Sequence, residues 1–214
     1  MVNEKEIMTE FNDKQLDILQ AAEILFAEEG FDGASIRSIA KAAHVNIAMI
    51  SYYFGSKEKL LEALIIQRTS GMKMQLESIF KEDLLPTQKV ERLVDLYISR
   101  INKNKCMYQI MHFELSTKKR ILNMESFMEM KKENTNIFNK IIEDGQQKGA
   151  FRKDINVALI PTTILGTLTH FHTNKLYFQK TLNLETEEKF EHYIETELTK
   201  HIKQTIKALL AHEN

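Results

Sequence analysis

The side chains that could do chemistry in this chain are its titratable and cationic ones, and the spacing of most of them argues against catalysis. No nucleophile stands at useful spacing from a base, no two carboxylates are set for paired acid and base work, and no glycine-rich phosphate loop occurs. His170-x-His172 with His112 is the nearest approach to a metal set. Positions i and i+2 of a helix point to different faces, however, so that pair cannot readily share an ion. The single cysteine, Cys106, excludes an internal disulfide framework, and only Lys103 and Lys105 beside it would lower its pKa. No enzyme activity, metal or cofactor is therefore expected. What remains is cationic: within residues 33–60, Arg37, Lys41, Lys57 and Lys59 face only Glu58. Such a cluster suits neutralisation of phosphates.

The elements that must position this cluster can be read from residues 35–60, SIRSIAKAAHVNIAMISYYFGSKEKL. Ser35 can cap a short helix carrying Ile36, Ile39, Ala40 and Ala43 on one face. His44 and Val45 break the period, and Asn46 offers a cap for a second run ending near Tyr52, where Ile50 and Tyr53 or Phe54 can point inward. About seven residues at about 1.5 Å rise give a helix roughly 10 Å long. That length fits a major groove about 12 Å wide. Gly55 and Ser56 end the run and cap a third helix, whose apolar set is Leu60, Leu61, Leu64, Ile65, Met72, Leu76, Ile79 and Phe80. Upstream, Asn12 can cap a first helix with Gln15 as capping-box partner and Phe11 and Leu16 at staple spacing, and Gly30 can end it. Two short helices joined by a tight turn and followed by a longer one have the layout of a helix-turn-helix that reads DNA.

Ile39-Ala40, Val45, Ile50, Tyr53-Phe54 and Ser56-Lys57-Glu58 with Leu60 resemble the signature of the TetR family of bacterial transcriptional regulators. So do Ile18, Ala21, Ala22, Leu25, Phe26, Gly30 and Phe31 upstream, and the likeness spans roughly residues 12–65. The resemblance implies DNA contacts over 35–57. Ser35, Arg37, Tyr52, Tyr53 and Lys57 would meet the backbone, Ile47, Ala48 and Met49 the groove floor, and Asn46 and Ser51 the same surface. Arg37 could instead reach a guanine edge. Two positions depart from the family: His44 stands where glycine is usual in the turn, and Ser51 where a tyrosine commonly reaches a phosphate. Because Ile47, Ala48 and Met49 offer bases no side-chain hydrogen bonds, discrimination would lean on thymine methyls and DNA shape, with a preference for AT-rich positions.

The whole chain is near neutral, at −1, so it is no generic basic DNA-coating protein. Its 214 residues exceed what a reader needs and leave room for a second core. We expect a reader over residues 1–55 and a ligand-binding and dimerisation domain over 56–214. Two prolines, seven glycines and the absence of β-branched alternation predict an all-α chain of about nine helices. After the reader these run from Pro86, over 105–116, 122–147, 156–180 and 186–211, with a loop at Gly145 to Asp154. No stretch approaches a membrane span and MVNEKEIMTE lacks the apolar run of a signal peptide, so no membrane association and a cytoplasmic location are expected.

The resemblance also implies a homodimer on a palindromic operator of double-stranded DNA, acting as a repressor released by a small effector. Tyr97, Met107, Tyr108, Met111, His112, Phe127, Phe138 and His170 are the candidates to line the effector site, with Glu114 as a further polar group. Methionine and aromatic surface of this kind suits an apolar ligand. The stripes Ile164, Leu168, Phe171 and Ile194, Leu198, Ile202, Ile206 are the candidates for the dimer interface, with Gly166 allowing close approach. The alternative is a helical protein-protein interaction scaffold without specific DNA binding.

Overall fold

The computed structural model describes residues 11–117 and 124–212, and these form helices with no strand among them. The segment MVNEKEIMTE and the expected start of a helix at 122 lie outside the described residues. The helices are α1 (Asp13–Gly33), α2 (Ile36–Ala42), α3 (Ile47–Phe54), α4 (Lys57–Thr69), α5 (Met72–Lys81), α6 (Pro86–Lys103), α7 (Lys105–Thr117) and α8 (Met124–Gln147). They continue with α9 (Leu159–Thr173), α10 (Lys175–Thr181), α11 (Glu187–Tyr193) and α12 (Thr199–Leu210).

These segments divide the expected helices more finely than the sequence period does. The stripe from Leu60 to Phe80 is two helices, because Ser70 leaves the helix and Gly71 takes φ +76°, a left-handed conformation that a β-carbon disfavours. Asn174 likewise separates α9 from α10.

The chain forms two compact units: the described residues of Met1–Gly71 with Asn104–Glu129, and those of Met72–Lys103 with Met130–Asn214. Leu60, Leu61 and Leu64 of α4 and Met107 and Ile110 of α7 are buried in the same core as Ile18, Ala22 and Phe26 of α1, Ile39 of α2 and Ile50 of α3, so residues 1–55 share their core with later helices. Burying each such aliphatic side chain stabilises the fold by about 1.5–3 kcal/mol.

Every helix start in this unit's reader is closed locally. Asn12 Oδ1 accepts from the Gln15 N–H while Gln15 Oε1 accepts from the Asn12 N–H, both at 3.0 Å. Ser35 and Ser38 form the same reciprocal box, Asn46 Oδ1 accepts from the Ala48 N–H at 2.9 Å, and Ser56 Oγ accepts from the Lys59 N–H at 3.2 Å. The turn between α2 and α3 is closed by two backbone bonds, His44 N–H to Lys41 O and Val45 N–H to Ala40 O. They form a Schellman pair around His44, whose φ is +53°.

In the second unit, α11 and α12 are one continuous helix through a π-helical turn at Ile194–Leu198. Its buried set, Phe190, Ile194, Leu198, Ile202 and Ile206, steps by four throughout. On an α-helix each such step overshoots a full turn by about 40°. The wider π turn absorbs part of that drift and keeps the stripe on one side, with the Thr199 hydroxyl donating to Ile194 O at 2.6 Å. Near the end of α8, Gly145 leaves room for the buried Phe151 ring, which an added β-carbon would overlap.

His44→Gly should stabilise the protein by about 1 kcal/mol, since glycine removes the left-handed penalty and leaves both turn bonds in place. A rise in Tm on thermal unfolding is the expected result. A fall would mean that the imidazole itself contributes more than the strain.

Candidate nucleic-acid interface

An eight-residue helix can present only two faces, and α3 divides them cleanly. Ile50 and Phe54, four apart, turn into the core; of the sequence's two candidates for the second inward position it is Phe54 that is buried. Phe11 packs on Phe54 from α1's amino-terminal side, with ring centroids 6.4 Å apart. Asn46, Ile47, Ala48 and Ser51 are exposed and Met49 is half-buried. Ile47 keeps 41% of its surface and Tyr52 84%, unusual values for large apolar groups on so short a helix.

Tyr52 is nonetheless held. Its ring lies edge-on to that of Tyr53 at 5.2 Å, and half-buried Tyr53 lies edge-on to Phe54 at 6.4 Å, so the chain of rings runs from core to solvent. The Tyr52 hydroxyl sits at the outer end of that chain, where it can donate to a phosphate.

The cations divide as well. Arg37, Lys41 and Lys59 are exposed and have no side-chain partner among the described residues. Lys57 is half-buried, donates from Nζ to Ala34 O at 2.7 Å and lies 4.3 Å from the centroid of the Phe31 ring. The Ser35 hydroxyl is occupied by its box with Ser38, 2.9 Å away. Arg37 is thus the free bidentate donor on α2, whereas Ser35 and Lys57 already have internal partners.

Sequence reasoning passed over one ion pair that braces this surface. Glu23 of α1 is buried and accepts from Arg68 of α4, at 2.8 Å from Nε and 2.6 Å from an Nη. The available signal was that Glu23 follows Leu19 by four residues and precedes Phe26 by three, which puts a carboxylate on the apolar face of α1.

The effector candidates fall in separate places. Met107 is buried in the first unit's core, Met111 and Phe127 pack on that core, Tyr108 is half-buried, His112 is exposed and Glu114 is buried. In the second unit Tyr97 lies edge-on to buried Phe138 at 6.3 Å. Also on α8, Asn134 Oδ1 and Asn139 Oδ1 are buried acceptors without a partner among the described residues. His170 instead borders a groove of about 850 Å³ with Gly166, Phe171, Phe178, Tyr193 and the polar residues Glu197, Lys200, His201 and Gln204. His172 turns the other way, its Nε2 3.2 Å from Asn102 Oδ1. Partial burial, with Glu23 nearby, pushes the Cys106 thiol above its ordinary pKa; Lys105 opposes this only weakly.

The seven residues expected at a dimer interface, Ile164, Leu168, Phe171, Ile194, Leu198, Ile202 and Ile206, are all buried within their own unit. Leu176, which continues the α9 stripe in sequence, is 77% exposed, because the break at Asn174 changes its phase. A β-carbon on exposed Gly166 would meet nothing within 4 Å, so among the described residues no other part of the chain uses the close approach it permits.

Residues 18–64 match the family model described as bacterial regulatory proteins, tetR family, and residues 86–209 match that of the tetracyclin repressor-like C-terminal domain. The HTH-type transcriptional repressor NicS of Pseudomonas putida is 32% identical over 169 residues, which are 74% of this chain and 76% of that one. The fatty acid metabolism regulator protein of Bacillus subtilis is 26% identical, with 72% and 79% covered. Among solved structures, the transcriptional regulator FadR from Bacillus subtilis in complex with stearoyl-CoA superposes with a TM-score of 0.69 at 21% identity, covering 92% of this chain and 99% of that one.

Arg37→Ala should weaken binding to a preferred duplex by about 1–3 kcal/mol, the worth of a bidentate guanine contact, and flatten the preference at one base position. Affinities for a set of duplexes carrying single substitutions provide the check. An equal loss on every sequence would make Arg37 a phosphate contact.

Proposed function

Because the chain belongs to the tetR family of bacterial regulatory proteins, DNA-binding transcriptional regulators that are not enzymes, we propose that it is a homodimeric repressor of a palindromic operator, released by a small, largely apolar effector. The observation that carries this reading is the outward face of α3. Ile47, Ala48 and Met49 lie between capping Asn46 and ring-held Tyr52, and Arg37 is exposed on the preceding helix α2. An apolar patch of this kind on a rigid, short helix suits thymine methyls on a groove floor, with Arg37, Ser51 and Tyr52 meeting the rim.

Charge favours action as a pair. Arg37, Lys41 and Lys59, the exposed cations without a side-chain partner among the described residues of this surface, neutralise few phosphates, so one chain binds weakly at physiological salt, while two joined chains add their contacts. With the stripes of α9 and α12 turned inward, the pairing surface is their outer side: bare Gly166, then Thr167, His170, Glu197, Lys200 and His201 around the groove. The reader role falls to residues 1–55 and the pairing and effector roles to 56–214, and the protein works in the cytoplasm, where bacterial DNA lies.

The effector reading is supported by Asn134 Oδ1, a buried acceptor without a partner among the described residues, one turn before Phe138 on α8, whose ring lies edge-on to Tyr97. Each buried acceptor without a donor costs about 1–3 kcal/mol. A ligand with an apolar body and a hydrogen-bond donor would satisfy that of Asn134. That the similar FadR structure holds stearoyl-CoA makes a long-chain acyl-CoA the first compound to try.

Selection of the purified protein against fragmented genomic DNA of its source at moderate salt tests the reading. Recovery of a palindrome, with loss of retention on adding stearoyl-CoA or another apolar effector, is the expected outcome. Retention of nothing sequence-specific would favour the scaffold alternative.

A further inference from the structure

Ile47 is the first residue of α3 and keeps 41% of its surface exposed, although isoleucine is among the side chains most often fully buried. Its apolar neighbours do not share that position: Ile36 and Val45 before it pack against the core of the first unit, and Ile50 after it is buried. The backbone beneath Ile47 is fixed, since Asn46 accepts from the Ala48 N–H through Oδ1 and from the Met49 N–H through its carbonyl, both at 2.9 Å. Its own branching fixes the rest. In a helix a β-branched side chain has essentially one χ1 rotamer, so it has little freedom left to lose on contact.

The residues beside it suit this role less well. Ala48 adds one carbon and leaves room for a base edge to approach, while Met49 is half-buried and has three rotatable bonds to order. The rigid apolar group at the exposed start of α3 is therefore Ile47, and the first residues of a recognition helix are those that meet base edges. A hydrocarbon branch makes no hydrogen bond, so it cannot distinguish one pattern of donors and acceptors from another. Thymine offers such a branch an apolar feature in the major groove, its C5-methyl group. A cytosine methylated at C5 carries the same methyl on the same ring carbon. It differs from thymine at C4, where an amino group replaces an oxygen, and Ile47 has nothing with which to read that difference.

We propose that Ile47 is the specificity-determining residue of α3, that it reads the C5-methyl of a pyrimidine whichever base carries it, and that methylation of an operator cytosine at the contacted position therefore tightens binding. The proposal rests on the DNA-binding reading above and names what the outward face of α3 recognises.

The test uses the palindrome recovered by selection and the full-length protein. Each thymine is replaced in turn by deoxyuridine, symmetrically in both half-sites, which removes the methyl and leaves every hydrogen-bonding group in place. One position should lose about fourfold per half-site, and about fifteenfold for the pair, the worth of one buried methyl in each. At that same position a 5-methylcytosine·guanine pair should bind more tightly than a cytosine·guanine pair by a similar factor. Ile47→Ala should erase both differences and leave the slope of log affinity against log salt unchanged, because no phosphate contact is lost.

No loss on deoxyuridine at any position would overturn the proposal, and this scan needs only the unaltered protein, so it stands whether or not a variant folds. A methyl effect that survives Ile47→Ala and disappears in Met49→Ala would overturn it in favour of Met49. Equal affinity for methylated and unmethylated cytosine would overturn the response to methylation. If selection recovers no sequence at all, the regulator reading fails and this proposal with it; a palindrome without a methyl effect overturns this proposal alone.

Discussion

Helices of seven and eight residues do not persist in water by themselves, and the surface proposed to read DNA consists of two of them, α2 and α3. Their existence depends on the buried side of α1, where Ile18, Ala22 and Phe26 gather Ile39, Ile50 and Leu60 into one core. Hydrophobic burial alone would leave the ends of such short helices with unpaired backbone groups, since a helix of this length is nearly all ends. Hence the density of side-chain caps at Asn12, Ser35, Asn46 and Ser56, each closing a start within three residues. Packing and capping act together: the first chooses where a helix lies, the second where it begins.

The same problem at carboxyl ends is met in two ways. Between α2 and α3 the backbone closes on itself and His44 accepts a left-handed φ to do so. At the ends of α1 and α5 a lysine from the start of a later helix reaches back instead. Lys57 donates to Ala34 O over Phe31, and buried Lys89 donates to Phe80 O at 2.7 Å with its ammonium 5.5 Å from the Phe80 ring. In both cases an aromatic residue near the helix end shields the ammonium on one side and the carbonyl satisfies it on another, so a cation is tolerated where little solvent reaches.

What was legible in the sequence follows from range. Caps, the His44 turn and the faces of α1, α2 and α3 depend on residues within four positions of each other, and all of them could be read. The break at Gly71 could not, because the apolar period continues through it from Leu60 to Phe80 and only the glycine marks the change. Lys57 with Ala34 and Glu23 with Arg68 join residues 23 and 45 positions apart, for which no local pattern exists. The stripes of α9 and α12 show a different limit. Periodicity identifies which face is apolar, as Ile164 and Ile202 show, but not whether a second molecule or the chain's own core covers it.

Helix α4 is fastened to α1 at both of its ends, by Lys57 at its first residue and by Arg68, held on buried Glu23, in its last turn. The two ties reach α1 on either side of its break at Gly30, where φ is +72°, so α4 spans both parts of that helix. A displacement of α4 is therefore shared by both parts, and with them by the core that seats the two short helices.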